Sequence, residues 1–152
     1  MKKITLIVVV LITLGTAQGT IAGQDDIKKL MDAASILLTD TPSEMNLYLG
    51  TGLLYSASLR GCFEADYIIF NLQESFVDLN FDPPFQYEQF EKSRRQAIKG
   101  YKEKLARYPD DAEAFYRLSV LFDPGIGIGG QDSTESRRYL TRAAELGHNE
   151  AI

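Results

Sequence analysis

Apolar residues in this chain recur at three- and four-residue intervals over most of its length, the period that lays one face of an α-helix against a core. Ile27, Leu30, Met31, Ala34 and Leu37 predict a first helix over residues 24–38, with Asp25 and Asp26 in the turn where carboxylates favour the helix dipole. Ser43 is placed to cap a second, buried helix over 46–56, in which Gly50 and Gly52 mark close packing against a neighbour. Beyond Gly61, the positions Ala65, Ile68, Ile69, Leu72, Phe76 and Leu79 predict a third helix within 62–81. The β-branched pair Ile68 and Ile69 keeps a strand over 67–70 as the alternative reading. Asp82-Pro83-Pro84 is a firm stop, because neither proline donates a backbone hydrogen bond and each disfavours helix before it. A long helix over 85–108 follows and ends before Pro109.

The clearest pattern occupies residues 112–152. Phe115, Leu118, Ser119 and Phe122 define one helical face, and Ser136, Tyr139, Leu140, Ala143 and Ala144 define another, with small residues where two helices must approach closely. Between them Gly125, Gly127, Gly129 and Gly130 allow a tight, irregular link, and Gly147 ends the second helix. Ala112, Ala114, Leu118, Phe122, Gly125, Gly127, Ile128, Asp132, Tyr139, Arg142, Ala143, Ala144, Gly147 and His148 together resemble the Sel1-like repeat, a relative of the tetratricopeptide repeat. Ser119 and Ser136 depart from that pattern, as does one extra residue between Ile128 and Asp132. The resemblance covers about a quarter of the chain. Upstream, Ala97, Tyr101, Leu105, Tyr108 and Pro109 resemble the second helix of a tetratricopeptide repeat, imperfectly, since Lys104 stands where a small residue is expected.

The first residues change the picture of where the protein works. Lys2 and Lys3, the uncharged run 4–14 and the small residues up to Ala22 read as a secretory signal peptide over 1–22, cut after Ala22 or alternatively after Gly19. The run is too short to span a bilayer, and no cysteine near the cut offers a lipid anchor. A soluble Gram-negative periplasmic protein is the expectation; an uncleaved membrane anchor is the alternative. Removing residues 1–22 leaves 130 residues, enough for one domain, and moves the formal net charge from −5 to −7. That charge opposes nucleic acid or an anionic membrane surface as partner. Cys62 is the single cysteine and excludes an internal disulfide. With Tyr55, Leu59 and Phe63 nearby it reads as a small packed hydrophobe, with a reactive or intermolecular thiol as the alternative.

Candidate chemistry is sparse. Residues 125–130 formally satisfy the dinucleotide fingerprint G-x-G-x-x-G, but a helix precedes them where that motif needs a strand. His148 is the only histidine, which excludes a multi-histidine metal centre, and its place after the helix-ending glycine fits a capping or packing role. Serine-hydrolase, penicillin-interacting and zinc-protease signatures do not occur. Arg94 with Arg95, and Arg137 with Arg138, read as solvated helix faces able in principle to grip a carboxylate or phosphate. Phe81, Phe85, Tyr87 and Phe90 crowd the double proline, as core or, where exposed, as an aromatic anchor for a partner.

These readings predict an all-α fold: a signal peptide over 1–22, a degenerate helical region over 23–84 and a tetratricopeptide- or Sel1-like α-solenoid region over 85–152. The resemblance implies a non-enzymatic, cofactor-free protein-binding module or adaptor, with an immunity protein against a secreted toxin such as a phospholipase as its sharper form. A cell-wall-active or β-lactam-handling hydrolase is the alternative. Candidate partner-binding residues are Phe85, Tyr87, Phe90, Tyr116, Arg137 and Arg138. Glu113-Ala114-Phe115 is echoed at Glu150-Ala151-Ile152, so the chain ends within the start of a further repeat. A truncated reading frame, a covering partner and a homodimer through the C-terminal repeat face all remain open.

Overall fold

The computed structural model describes residues 23–38, 42–84, 86–123 and 132–152; the expected signal peptide, Phe85 and the glycine loop lie outside them. Among the described residues there are six α-helices, one short 3-10 turn and no strand. They are α1 (Gly23–Leu37), α2 (Glu44–Ser58), α3 (Phe63–Asp78), α4 (Tyr87–Arg107), α5 (Ala112–Leu121), α6 (Ser133–Glu145) and the turn Asn149–Ala151. The strand alternative over 67–70 falls within α3, where Tyr67, Ile69 and Phe70 are buried. Apolar neighbours on two sides outweigh the weak local preference of the β-branched pair.

Local chemistry sets the helix ends. The Ser43 side chain accepts from the Asn46 backbone N–H, as its position predicts, and Asp111 and Asp132 cap α5 and α6 in the same way. At the close of α3, Asn80 adopts a left-handed φ of 54°, and the Phe81 N–H returns to the Phe76 carbonyl at 2.9 Å. Gly147, with φ of 83°, closes α6, and the His148 N–H reaches the Ala143 carbonyl at 3.0 Å.

Each helix packs chiefly on the next along the chain, and short links make the neighbours antiparallel. Two apolar clusters result. One joins Ala34 of α1, Leu47 and Leu54 of α2, Ile69 and Phe76 of α3 and Phe90 of α4. The other joins Phe70 of α3, Ala97 and Tyr101 of α4, Leu118 and Leu121 of α5 and Tyr139 of α6. Helices α3 and α4 belong to both: α3 gives Ile69 and Phe76 to one cluster and Tyr67 and Phe70 to the other, while a single stripe of α4, Phe90, Ala97 and Tyr101, runs from the first into the second. Their close approach depends on Gly100: a Cβ there would lie 2.4 Å from Phe63 Cβ. Gly50 plays the same part between α1 and α2, where an added Cβ would meet Leu38 at 2.6 Å. Cys62 is buried at the edge of the first cluster as a free thiol, and burial pushes its pKa up.

Two sequence expectations are corrected. Leu140 does not join the buried face of α6 but is 37% exposed, because Tyr139, Ala143 and Ser136, whose hydroxyl donates to the Ser119 carbonyl at 2.9 Å, take the face toward α5. Arg94 is not solvated with Arg95; it is buried, its guanidinium donating to Glu91 at 3.1 Å and to the Leu121 carbonyl at the end of α5 at 3.1 Å. A helix C-terminus leaves carbonyls without intrahelical partners, and a cation reaching across from α4 satisfies one of them.

Candidate functional site

The antiparallel order brings the start of α2, the end of α3 and the start of α4 to one end of the molecule. An aromatic ladder crosses that end. Tyr48 of α2 lies 5.8 Å from Phe76 of α3, Phe76 lies 6.4 Å from Phe90 of α4, and Phe90 lies 6.2 Å from Tyr87, all between ring centroids. The Tyr48 hydroxyl donates to the Asp82 carbonyl and so pins the proline turn to α2. Phe76 and Phe90 are fully buried, whereas the rim stays open: Met45 is 51% exposed, Val77 62%, Leu79 39% and Tyr87 47%. Glu44, Asp78, Asp82 and Glu88, neighbours of these residues along the chain, are exposed as well. Burial first, and then the charges of Glu44 and Asp82, push the Tyr48 phenol up.

A second polar constellation occupies the opposite end, where α4 leads into α5 and α6 ends. His148 Nε2 lies 2.7 Å from Glu113, its ring stacks on Tyr116 at 4.3 Å between centroids, and Arg117 binds the same Glu113 carboxylate. The Arg117 guanidinium in turn sits 4.4 Å from the Tyr67 ring centroid. Burial alone would raise the Glu113 carboxyl, but the hydrogen bonds from His148 and Arg117 outweigh it and hold the group below the usual carboxylate range. This arrangement clasps the Asn149–Ala151 turn onto α5. An imidazole beside a carboxylate could move protons, yet among the described residues no hydroxyl or thiol hydrogen-bonds the second ring nitrogen of His148, which is buried without a partner.

The six residues expected to bind a partner do not converge. Phe85 lies outside the described residues. Phe90 is corrected: it has no exposed surface and supports Tyr87 from below, because the α3–α4 contact needs a large apolar group there. Tyr87 sits on the open rim. Tyr116 belongs to the clasp at the other end. Arg137 and Arg138 are exposed on α6, where they line an open cavity with Phe115 of α5, Tyr139 and Arg142; Arg138 is held by Glu135 at 2.9 Å and lies 5.5 Å from the Tyr139 ring centroid.

Met45, Val77 and the four carboxylates at this end are functional candidates that the apolar periodicity does not reveal, and Leu79, which that periodicity places on the helical apolar face, is instead exposed at the C-terminal cap of α3. A charge count along the chain does point to them: between Met31 and Glu91, Arg60 is the single cation. Among the described residues no cluster of three or more His, Cys, Asp or Glu could hold a metal, and no helix is long and apolar enough to cross a membrane. Comparison with protein-family models, with curated proteins and with solved structures gives no match to this chain.

Proposed function

We propose that this chain is a protein-interaction module of the Sel1-like, tetratricopeptide-related type, exported to a Gram-negative periplasm and acting without catalysis. In its sharper form it is an immunity protein that neutralises a secreted toxin such as a phospholipase by binding it. The observation that carries this reading is the uninterrupted packing of each helix on the next along the chain. Such an array builds extended surface from a small number of residues and leaves its ends and faces for partners. The stretch over 112–152 adds the short-range chemistry of one repeat unit: buried Ala114, Leu118, Tyr139 and Ala143, the left-handed Gly147 and the packed His148.

Expression of the full chain in a Gram-negative host tests both parts. Recovery from the periplasm with a mass corresponding to loss of residues 1–22 supports export, whereas an uncut protein retained in the cell counts against it. Affinity capture of a secreted effector, together with protection of cells exposed to it, supports the immunity role. Capture of no effector and absence of protection would sink that role.

A further inference from the structure

The two halves of the chain differ sharply in charge. Residues 23–91 carry twelve carboxylates and three cations, Lys28, Lys29 and Arg60, whereas residues 92–152 carry nine carboxylates and eleven cations. None of the three cations lies at the end where α2 begins, α3 closes and α4 begins. Lys28 and Lys29 stand in the early turns of α1, and Arg60 follows α2 at the opposite end, paired with Asp26 at 3.3 Å. The first cation on α4 is Lys92, one turn beyond Glu88. Of the four acidic residues at this end, Glu88 has Lys92 one turn along α4, whereas Glu44, Asp78 and Asp82 have no cation within four residues in the sequence, so the end that carries Met45, Val77, Leu79 and Tyr87 keeps an excess of negative charge.

Neither feature alone would assign a partner. Exposed apolar side chains occur singly on any protein, and acidic surfaces aid solubility. Here they coincide on a stiff support: the Tyr48–Phe76–Phe90–Tyr87 ladder fixes the rim from below, and the Asn80 turn and the Tyr48 bond to Asp82 fix its outline. An aromatic and aliphatic centre with a polar charged rim is the layout of a protein interface. The sign of that rim selects the chemistry of what binds.

We propose that this end of the molecule docks a cationic amphipathic segment of a partner protein, whose apolar side chains cover Val77, Leu79 and Tyr87 while its lysines or arginines meet Glu44, Asp78, Asp82 and Glu88. The inference rests on the reading of the chain as a protein-binding module and names the chemistry of its partner. A rigid, preformed rim favours a segment that folds onto it, since the ordering entropy is then lost on one side only.

The probe is a displayed library of randomised amphipathic twenty-residue helical peptides, selected on the full chain at low ionic strength. The expected result is enrichment of peptides carrying Lys or Arg beside Leu or Phe, with affinity falling at least tenfold in high salt. The same loss is expected for the double variant Asp78→Lys, Glu88→Lys and for Tyr87→Ala. Arg137→Glu with Arg138→Glu leaves binding unchanged. Where the charge-reversed variant does not fold by circular dichroism, Asp78→Asn with Glu88→Gln replaces it, with a smaller loss in the same direction. Enriched peptides without basic residues, affinity indifferent to these variants, or no enrichment at all would overturn the inference. So would sedimentation showing that a second copy of the chain occupies this face, as a dimer lost in Tyr87→Ala. Peptides lost only with Arg137→Glu and Arg138→Glu overturn the inference but leave the module reading intact, whereas failure of toxin protection strikes the immunity role alone.

Discussion

The half built on α1, α2 and α3 and the half built on α5 and α6 are held by different means, though both consist of antiparallel helices. In the first, apolar contact dominates: Leu47, Leu54, Ile69, Phe76 and Phe90 are fully or almost fully buried, and the buried carboxyl Asp66 has the Ser58 hydroxyl as hydrogen-bond partner at 2.7 Å. Burial raises the Asp66 carboxyl above its ordinary range despite that bond. In the second, charged side chains bridge the elements. Lys104 of α4 meets Asp111 at 2.9 Å, Arg142 of α6 reaches Asp110 at 3.4 Å, and His148 closes on Glu113. There the carboxyls move the other way: burial is outweighed at Asp111 by hydrogen bonds from Lys104 and the Ala114 N–H, and at Glu113 by those from His148 and Arg117, so both are lowered. A helix pair with a small buried face therefore relies on polar clasps, whereas a pair with a wide apolar face needs few.

The contrast can be broken most forcefully at the seam. Phe90→Ala empties a fully buried site shared by α3 and α4 and is expected to lower stability by about 3–5 kcal/mol in denaturant unfolding. A loss below about 1 kcal/mol, the size expected of the exposed Tyr87→Ala, would show Phe90 to be a surface group. Gly100→Ala comes next, since its Cβ must push Phe63 aside; overpacking of this kind costs about 1–3 kcal/mol, and the same substitution is expected to cost less in a Phe63→Ala background, which removes the clashing Cγ and Cδ1. His148→Ala removes the ring stacked on Tyr116 and the bond to Glu113, an expected loss of about 1–2 kcal/mol, read as increased proteolysis near the Asn149–Ala151 turn.

Acid should separate the halves with a smaller effect. The lowered Asp111 and Glu113 contribute stability that is present above the ordinary carboxylate range near pH ~4 and is lost as pH falls through their depressed values. The raised Asp66 acts oppositely: its contribution is present below the unfolded value and is lost as pH rises through its elevated one, so its carboxylate weakens the fold at neutral pH. Melting midpoints are expected to rise slightly from neutral to mildly acidic pH and then fall. Asp66→Asn should abolish the rise, and Glu113→Gln should blunt the fall; unchanged profiles in both variants would refute the assignment. The smallest change is expected for Asn80→Gly, within a few tenths of a kcal/mol, because asparagine already tolerates the left-handed region that glycine adopts freely.

Much of the fold was legible because helical periodicity and capping are local. Ser43, Gly147 and the double proline mark boundaries through the backbone geometry that each residue type permits, whatever packs nearby. The candidate surface was legible only in fragments. Tyr87 was found through its crowding by the prolines, but Phe90, three residues away, shares that crowding and points inward. Met45, Val77 and Leu79 are separated in sequence from Tyr87, and only the antiparallel order of α2, α3 and α4 sets them at one end.

The sequence by itself determined the helical elements, their capping residues, the close-packing glycine Gly50 and the small-residue face of the last helix pair, because each follows from side-chain size and backbone freedom within a few residues. Tertiary structure decided which side of each element is buried. It sent Arg94 inward to the carbonyl of Leu121, left Leu140 in solvent and gathered scattered carboxylates and apolar groups around one end. Burial depends on what stands opposite a residue, and in a chain of stacked helices that neighbour comes from a different stretch of sequence.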